Sequence, residues 1–505
     1  MSAPPMDLET VVPRVRAVFH RPAPPRPTQA PAAGTGRLVI VSNRLPVCVR
    51  VNADGVRLSP SAGGLATGLR GVHERSGGLW MGWPGTDGHE PPATRRAIRD
   101  RLAAQGAVPV FLSADEIARF YECVANGVLW PALHEREPEP ATADDWTAYR
   151  TVNARFADAL AARLCPGDQV WVHDYHLMLL PRMLRARRPD AQIGFFLHTP
   201  FPPAATLAAL PQAAELLDGL LGADVVGLHT AAYVSRFTEA VETVLGRAQR
   251  GGAVVDGGRR VRVRACAMSV DGAAFAERAS DPAVDSMVER LRGDGGPLLV
   301  GIDRLDYTKG IPERLAAFER LLERRPELRG RARLFQLAVP SRESVPAYRA
   351  LRARVEEMVA RINGWYRTAR WTPIEYVHGT VDDQRLAALY RAADVMLVTP
   401  LRDGMNLVAK EFVASRTDDD GVLVLSRGAG AAAELRTALL VDPSDVGGLS
   451  AAIETAIAMP RAERRVRMRW LRRRVRHHDV FDWARECLIA LGSSHSAVVG
   501  RPAGA

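Results

Sequence analysis

Two α/β domains in tandem, each a doubly wound sheet with helices on both faces, are what this sequence predicts. Three observations lead there. The chain has 505 residues, long for one hydrophobic core and suited to two domains of roughly 200. Short apolar runs rich in β-branched residues recur along it, mostly separated by a dozen or more residues of helical pattern. These runs are continuously apolar rather than alternating, as parallel strands buried on both faces are.

Taken in chain order, residues 1–36 end in "RPAPPRPTQAPAAGTG" and read as a disordered Pro- and Ala-rich leader. "RLVIVSN", "QVWVHD", "QIGFFLHT" and "DVVGLHT" supply strands of a first domain, 37–271. "SAGGLATGL" sets Gly63 and Gly64 before a helix, a turn that lets backbone approach a ligand. The polar stretch "DGAAFAERASDPAVDSMVERLRGDGG" marks the passage to a second domain, 272–478. Its strands are "PLLVGIDR", "RLFQLAVP", "IEYVHG", "DVMLVTP" and "GVLVLS". A last helix, 479–492, is expected to return to the first domain, followed by a flexible tail, 493–505. Ligands of such domains bind beyond the carboxyl ends of the strands, so the site is expected in the cleft between the two.

Composition narrows the class. With 47% hydrophobic and 25% charged residues the chain resembles an ordinary globular enzyme. It holds no apolar run long enough to span a membrane and no apolar centre of a secretory signal, so a cytoplasmic protein is expected. Cys48, Cys123, Cys165, Cys266 and Cys487 are scattered and never form CxxC, which suggests neither disulfides nor a thiolate metal site. The net charge of +10 comes mostly from "RAERRVRMRWLRRRVR", Arg461 to Arg476, with nine arginines and one glutamate. Val466, Trp470, Leu471 and Val475 recur there at helical spacing, the pattern of an amphipathic helix with a solvated arginine face; an acidic or nucleic-acid partner is the other reading.

Two turns carry the chemistry. "TPLRDGMNLVAKEF" runs a buried strand into a tight turn and a helix, leaving amides free at a positive helix end to bind an anion. Asp403 and Glu411 there suit sugar and ribose hydroxyls, unless Asp403 only caps the helix. "GIDRLDYTKGIPERLAAFERLL" repeats the strand–turn–helix plan, with Arg304 and Lys309 projecting as two cations suited to a diphosphate. Of 67 lysines and arginines only Lys309 and Lys410 are lysine, which marks positions where a guanidinium does not fit. Neither a Walker A loop nor GxGxxG is present. His173, Asp174, His176 and His198 sit at strand ends, but their spacing is not that of HExxH, and contacts to substrate hydroxyls are favoured over a metal.

Read together, "VIVSNRLP", "SAGGLATGL", "LWMGWPG", "YECVANGVLWPALH", "VHDYHLMLLP", "GFFLHTPFPP", "RLDYTKGIPERL", "VPSRESVPAY" and "TPLRDGMNLVAKEF" resemble glycosyltransferase family 20 over about residues 37–490. The resemblance implies the GT-B fold, two Rossmann-like domains facing across a cleft. It also implies transfer of glucose from a nucleoside diphosphate (uridine or guanosine) to glucose 6-phosphate with retention, giving α,α-trehalose 6-phosphate without metal or cofactor. By matching position, Arg304 and Lys309 bind the donor diphosphate and Glu411 the ribose. Asp403 and the backbone of Gly404, Met405, Asn406 and Leu407 hold the donor glucose and phosphates. His198 holds a donor hydroxyl, Gly63 and Gly64 approach the donor, and Asp174 lies near both sugars. Arg44, Tyr121, Trp130 and Arg342 match the acceptor side.

No carboxylate nucleophile is evident, so a front-face substitution is implied, with the leaving phosphate taking the acceptor's proton and Asp174, His198, Arg304 and Lys309 as catalytic groups. The chain departs from the family at Ala267 and Ser269, where Pro-x-Gly is usual, and at Gly428, where an aromatic is usual. A relative using glycerol 3-phosphate or a cyclitol phosphate, and a silent scaffold or nucleic-acid partner, are the alternatives. Oligomeric state is left open.

Overall fold

The computed structural model describes residues 36–52, 55–60, 64–293, 295–343 and 345–492. The tail 493–505, Gly63 and the leader apart from Gly36 lie outside the described residues. The fold is α/β, with two large sheets.

The first sheet has nine strands in the order Ala107–Pro109, Leu79–Trp83, Leu38–Arg44, Gln169–His173, Gln192–Phe196, Val225–Leu228, Arg259–Ala265, Ala253–Asp256 and Gln249–Arg250. Its first seven strands pair in parallel; the last two fold back antiparallel at the edge. The second sheet is parallel throughout, in the order Ile374–His378, Arg333–Val339, Leu298–Arg304, Val395–Val398, Val422–Ser426 and Leu439–Val441.

Among its parallel strands each sheet reverses strand order once, and ligands of doubly wound sheets bind at that point. In the first sheet the reversal falls between Leu38–Arg44 and Gln169–His173; in the second, between Leu298–Arg304 and Val395–Val398. Arg44 and Asp174 leave the first pair, and the turns of Lys309 and Asp403 leave the second.

Alternate residues of each strand face opposite layers, so every sheet has two cores. Val39 and Val41 join one cluster and Leu38 and Ile40 another. Leu298, Val300 and Ile302 pack on one face of the second sheet and Leu299 on the other. The continuous apolar character of the runs is this double burial.

The chain crosses between cores in a few residues. Met268 packs in the first domain and Val270 in the second, around a fully buried Ser269. It crosses back between Val475 and Val480, and the Val480 amide donates to the Val270 carbonyl at 3.2 Å, so the two crossings lie side by side. The final helix of the described residues, Val480–Leu491, sets the Trp483 ring 5.1 Å from those of Trp171 and Phe196 in the first sheet, and packs Val480 and Phe481 beside Gly68 and Gly71 of the helix Gly64–Ser76.

One expectation is corrected. In the helix Arg461–His477 the inward face is Met468, Leu471 and Val475, whereas Val466 and Trp470 are 53% and 57% exposed. The buried set follows i, i+3, i+7, and Val466 and Trp470 lie on the opposite stripe with the arginines. Six of those arginines pair with carboxylates: Arg461 and Arg464 with Asp420, Arg469 and Arg472 with Asp419, Arg467 with Glu463, and Arg474 with Glu434. Much of the local charge is thereby matched within the fold. Among the described residues no helix is long and apolar enough to cross a membrane.

Candidate active site

The two turns of the second domain are joined before any ligand is considered. After Arg304, Asp306 caps the short 3-10 turn Tyr307–Lys309, accepting from the Thr308 amide at 3.0 Å and its hydroxyl at 2.8 Å. Gly310 follows with φ +65°, and a Cβ there would stand 2.2 Å from the Thr399 carbonyl oxygen, so only glycine fits. Pro312 then opens the helix Ile311–Arg324. Beneath both turns lies Arg314, fully buried, donating to Asp303 at 2.6 Å, Gln336 at 2.8 Å and the Thr399 hydroxyl at 3.0 Å. The Leu401 amide donates to the Thr308 carbonyl at 2.7 Å.

On this base Lys309 Nζ meets Asp403 Oδ2 at 2.7 Å, and the Asn406 amide donates to the same oxygen at 3.0 Å. Burial alone would raise the Asp403 carboxyl; the Lys309 ammonium overcomes it and holds the group below the usual range. Asp403 is therefore not a helix cap. The cap position of Leu407–Ser415 is Asn406, with φ +69° and no capping side-chain bond, so the first-turn amides remain to be satisfied from the cleft.

Arg342 reaches across to the first domain. It donates to Asp306 at 3.2 Å, to the Tyr348 hydroxyl, and to the Tyr175 hydroxyl at 3.1 Å. Its guanidinium carbon lies 4.2 Å from the Trp130 ring centroid, and that of exposed Arg304 lies 5.2 Å from the same ring. Trp130 follows a π-helical segment, Ile117–Leu129, that also presents Tyr121 and Asn126; wide i→i+5 turns of this kind recur at functional sites. Arg44, beyond a register shift in Leu38–Arg44, lies over Trp83 at 4.2 Å and Tyr121 at 5.6 Å.

Asp174 has φ +76° and ψ 167°, a region essentially reserved for glycine and costing about 1–3 kcal/mol. Among the described residues only five non-glycines have positive φ, and Asp174, Arg342 and Asn406 are three of them. Strain is thus concentrated at the cleft. Burial pushes the Asp174 carboxyl up to about 6, against the pull of its bonds with backbone amides and of Arg304 and Arg342. Its Oδ1 accepts the His198 amide at 3.1 Å. The His198 and His173 rings stand 3.0 Å apart through Nε2 and Nδ1, sharing one proton, and burial keeps both neutral, His173 at about 3. A Cβ on Gly404 would fall 1.9 Å from the His198 carbonyl oxygen, so the Asp403 turn touches the first domain's strand end directly.

The remaining predicted residues fall around this centre. Gly64, exposed, opens the helix Gly64–Ser76 facing Leu407, whose side chain would stand 3.1 Å from a Cβ at that glycine. Met405 is buried, and Leu407 packs on both domains' cores. Glu411 accepts from the Tyr390 hydroxyl at 2.6 Å, and burial raises its carboxyl. Lys410 faces away, donating to the Met268 carbonyl at 2.7 Å and pairing with Glu434 at 2.6 Å. It ties the crossing segment to the second domain. At Gly428 a Cβ would meet the Leu401 carbonyl oxygen at 2.3 Å, so this backbone admits no aromatic there.

Sequence reasoning overlooked Asp306, Tyr175, Tyr348 and Arg314. Asp306 lies inside a motif already singled out, but its charge partner is 36 positions away and no local spacing links them. Trp130 Nε1 and Asn406 Oδ1 are buried without a partner among the described residues, positions a polar ligand would satisfy. Among the described residues no three His, Cys, Asp or Glu side chains group to hold a metal.

The glycosyltransferase family 20 model matches residues 36–492. The trehalose-6-phosphate synthase of Mycobacterium tuberculosis H37Rv is 44% identical over 481 residues, covering 92% of this chain and 96% of that one. The bifunctional trehalose-6-phosphate synthase/phosphatase of Thermoproteus tenax is 43% identical over 478 residues, 91% of this chain but 64% of the longer protein. A crystal structure of the UDP-forming α,α-trehalose-phosphate synthase of Burkholderia xenovorans, in complex with glucose-6-phosphate, superposes with a TM-score of 0.80 at 36% identity, covering 90% of this chain and 100% of that one. The two doubly wound domains are the GT-B fold that the motifs implied. With a family match spanning nearly the whole described chain, and with Arg304, Lys309, Asp403 and Arg342 gathered at the cleft, this protein belongs to glycosyltransferase family 20.

Proposed function

We propose that the chain transfers glucose from a nucleoside diphosphate, uridine diphosphate in particular, to the anomeric hydroxyl of glucose 6-phosphate with retention, forming α,α-trehalose 6-phosphate. The observation that carries this is the placing of two cationic centres on one aromatic ring. Arg304, at the diphosphate turn, and Arg342, at the interdomain network, both lie over Trp130. Two phosphorylated substrates need two such centres a sugar apart. The Burkholderia relative, UDP-forming and holding glucose-6-phosphate, supports both halves.

In this reading Arg304 and Lys309 bind the diphosphate, the turn Gly404–Leu407 and Asp403 hold the donor glucose and phosphates, and Glu411 takes the ribose. His198 takes a glucose hydroxyl, and Gly64 approaches the donor. Arg44, Tyr121, Trp130 and Arg342 hold the acceptor. As the bond from C1 to the phosphate oxygen lengthens, Arg304 and Lys309 take up the growing negative charge. The acceptor oxygen attacks from the same face, and its proton passes to the departing phosphate. Asp174, beneath the sugars, holds hydroxyls and balances developing positive charge as a carboxylate.

Two outcomes are expected. Arg342→Ala should raise the acceptor KM by roughly tenfold to a hundredfold, the loss of a charged contact of about 1.5–3 kcal/mol, with a much smaller rise for the donor. Steady-state rates over both substrates measure this, and equal rises contradict the assignment. Because only the carboxylate of Asp174 serves, kcat/KM should fall as pH drops through about 6. Asp174→Asn should be slow at every pH and lack that limb; a persisting limb assigns the titration elsewhere. Incubation with a panel of nucleoside-diphosphate glucoses and sugar phosphates, with products identified by mass and NMR, tests the function itself. A product other than trehalose 6-phosphate overturns it.

A further inference from the structure

Asp306 has no part in the roles above, yet it stands between them. Its carboxylate is fully buried. One oxygen is committed to Thr308. The other accepts from the Tyr348 hydroxyl at 2.9 Å and from Arg342 Nη1 at 3.2 Å, and that same nitrogen also donates to Tyr348. Arg342 starts from a left-handed backbone, φ +49°, so its neighbours decide where its side chain goes. Asp306 and Tyr348 hold one corner of the guanidinium, Tyr175 holds a second at 3.1 Å, and the Trp130 ring lies against its face at 4.2 Å.

A guanidinium has five N–H donors. Among the described residues the bonds use two on Nη1 and one on Nη2, leaving one on Nε and one on Nη2. Two donors fixed in a plane suit two oxygens of one phosphomonoester.

We propose that Asp306, acting with Tyr348, is a positioning residue for the acceptor phosphate: it fixes the plane of Arg342 so that the remaining donors point at that phosphate. This rests on the acceptor reading above. Asp306 belongs to the donor turn in sequence, since Lys309 lies three residues on, but it serves the acceptor in space. Lys309 turns instead to Asp403, so the donor cation does not depend on Asp306 for a direct partner.

The test is steady-state kinetics of Asp306→Asn and Tyr348→Phe with UDP-glucose and glucose 6-phosphate each varied, alongside thermal melts. Asp306→Asn is expected to raise the acceptor KM about tenfold or more while the donor KM stays within about threefold. Tyr348→Phe should show the same split at smaller size, because the direct contact to Asp306 survives. A merely structural role would lower stability and move both constants together, and that result overturns the proposal. If Asp306→Asn does not fold, Tyr348→Phe decides: an acceptor KM equal to the parent's overturns it. A parent chain that makes no product with glucose 6-phosphate overturns the functional reading and this inference with it. An active parent whose variants show no split overturns the inference alone.

Discussion

Lys309→Ala is expected to lower kcat/KM about a thousandfold, ~4 kcal/mol of transition-state stabilisation. Two losses add. In the role proposed for Lys309, the leaving diphosphate loses a cation placed where charge accumulates, and Asp403 loses the ammonium 2.7 Å away that holds its carboxyl below the usual range. The side chain is only 9% exposed, so water replaces it poorly. Lys309→Arg keeps the charge but has to fit a planar fork between Asp403 and the welded turns, and a fall of about tenfold is expected. Circular dichroism should show both variants folded. Near-full turnover in Lys309→Arg would mean that charge alone matters and that the scarcity of lysine carried no information.

Arg314→Ala should destabilise the second domain by about 3–5 kcal/mol, because it strands Asp303, buried with its only strong partner removed. Burial already raises the Asp303 carboxyl despite Arg314, so the pair resists a large desolvation cost. In a domain of this size that corresponds to a fall of roughly 6–20 °C in Tm, measurable by calorimetry. Pairing it with Asp303→Leu should recover much of the loss. A single variant melting within about 2 °C of the parent would show that water or the Thr399 and Gln336 side chains satisfy the site without Arg314. Activity should fall together with stability, since Arg314 joins the Lys309 and Asp403 turns.

How legible each feature was in the sequence follows from the range of the forces behind it. Runs such as "PLLVGIDR" announce parallel strands because double burial leaves no polar position in them. Gly310 is readable because one backbone angle and one carbonyl demand it. The short edge strand Ala107–Pro109 and the antiparallel pair Ala253–Asp256 and Arg259–Ala265 were not among the expected strands. Each is short or carries alternating charge, as half-exposed strands do. Val466 and Trp470 share the helical period of the buried residues, and only the packed neighbour tells which stripe turns inward. Lys410 is as scarce a residue as Lys309, but its partner Glu434 and the Met268 carbonyl are set by domain geometry. The meeting of Lys309 with Asp403, 94 residues on, becomes visible only once the strand order puts their two strands side by side.

The return of Val480–Leu491 to the first sheet has a consequence for how the protein is made. Strand Arg259–Ala265 leaves the ribosome long before the helix that covers Trp171 and Phe196. At about 5–20 residues per second, roughly 10 to 40 s separate them. During that interval the second domain, contiguous in sequence, is synthesised whole, while Trp171 and Phe196 of the first lack the cover that Trp483 later gives them. The domain begun first is therefore completed last. Its nascent form is the species most exposed to aggregation, and chaperones that bind apolar surface would be expected to engage the chain there until residues 480–491 emerge.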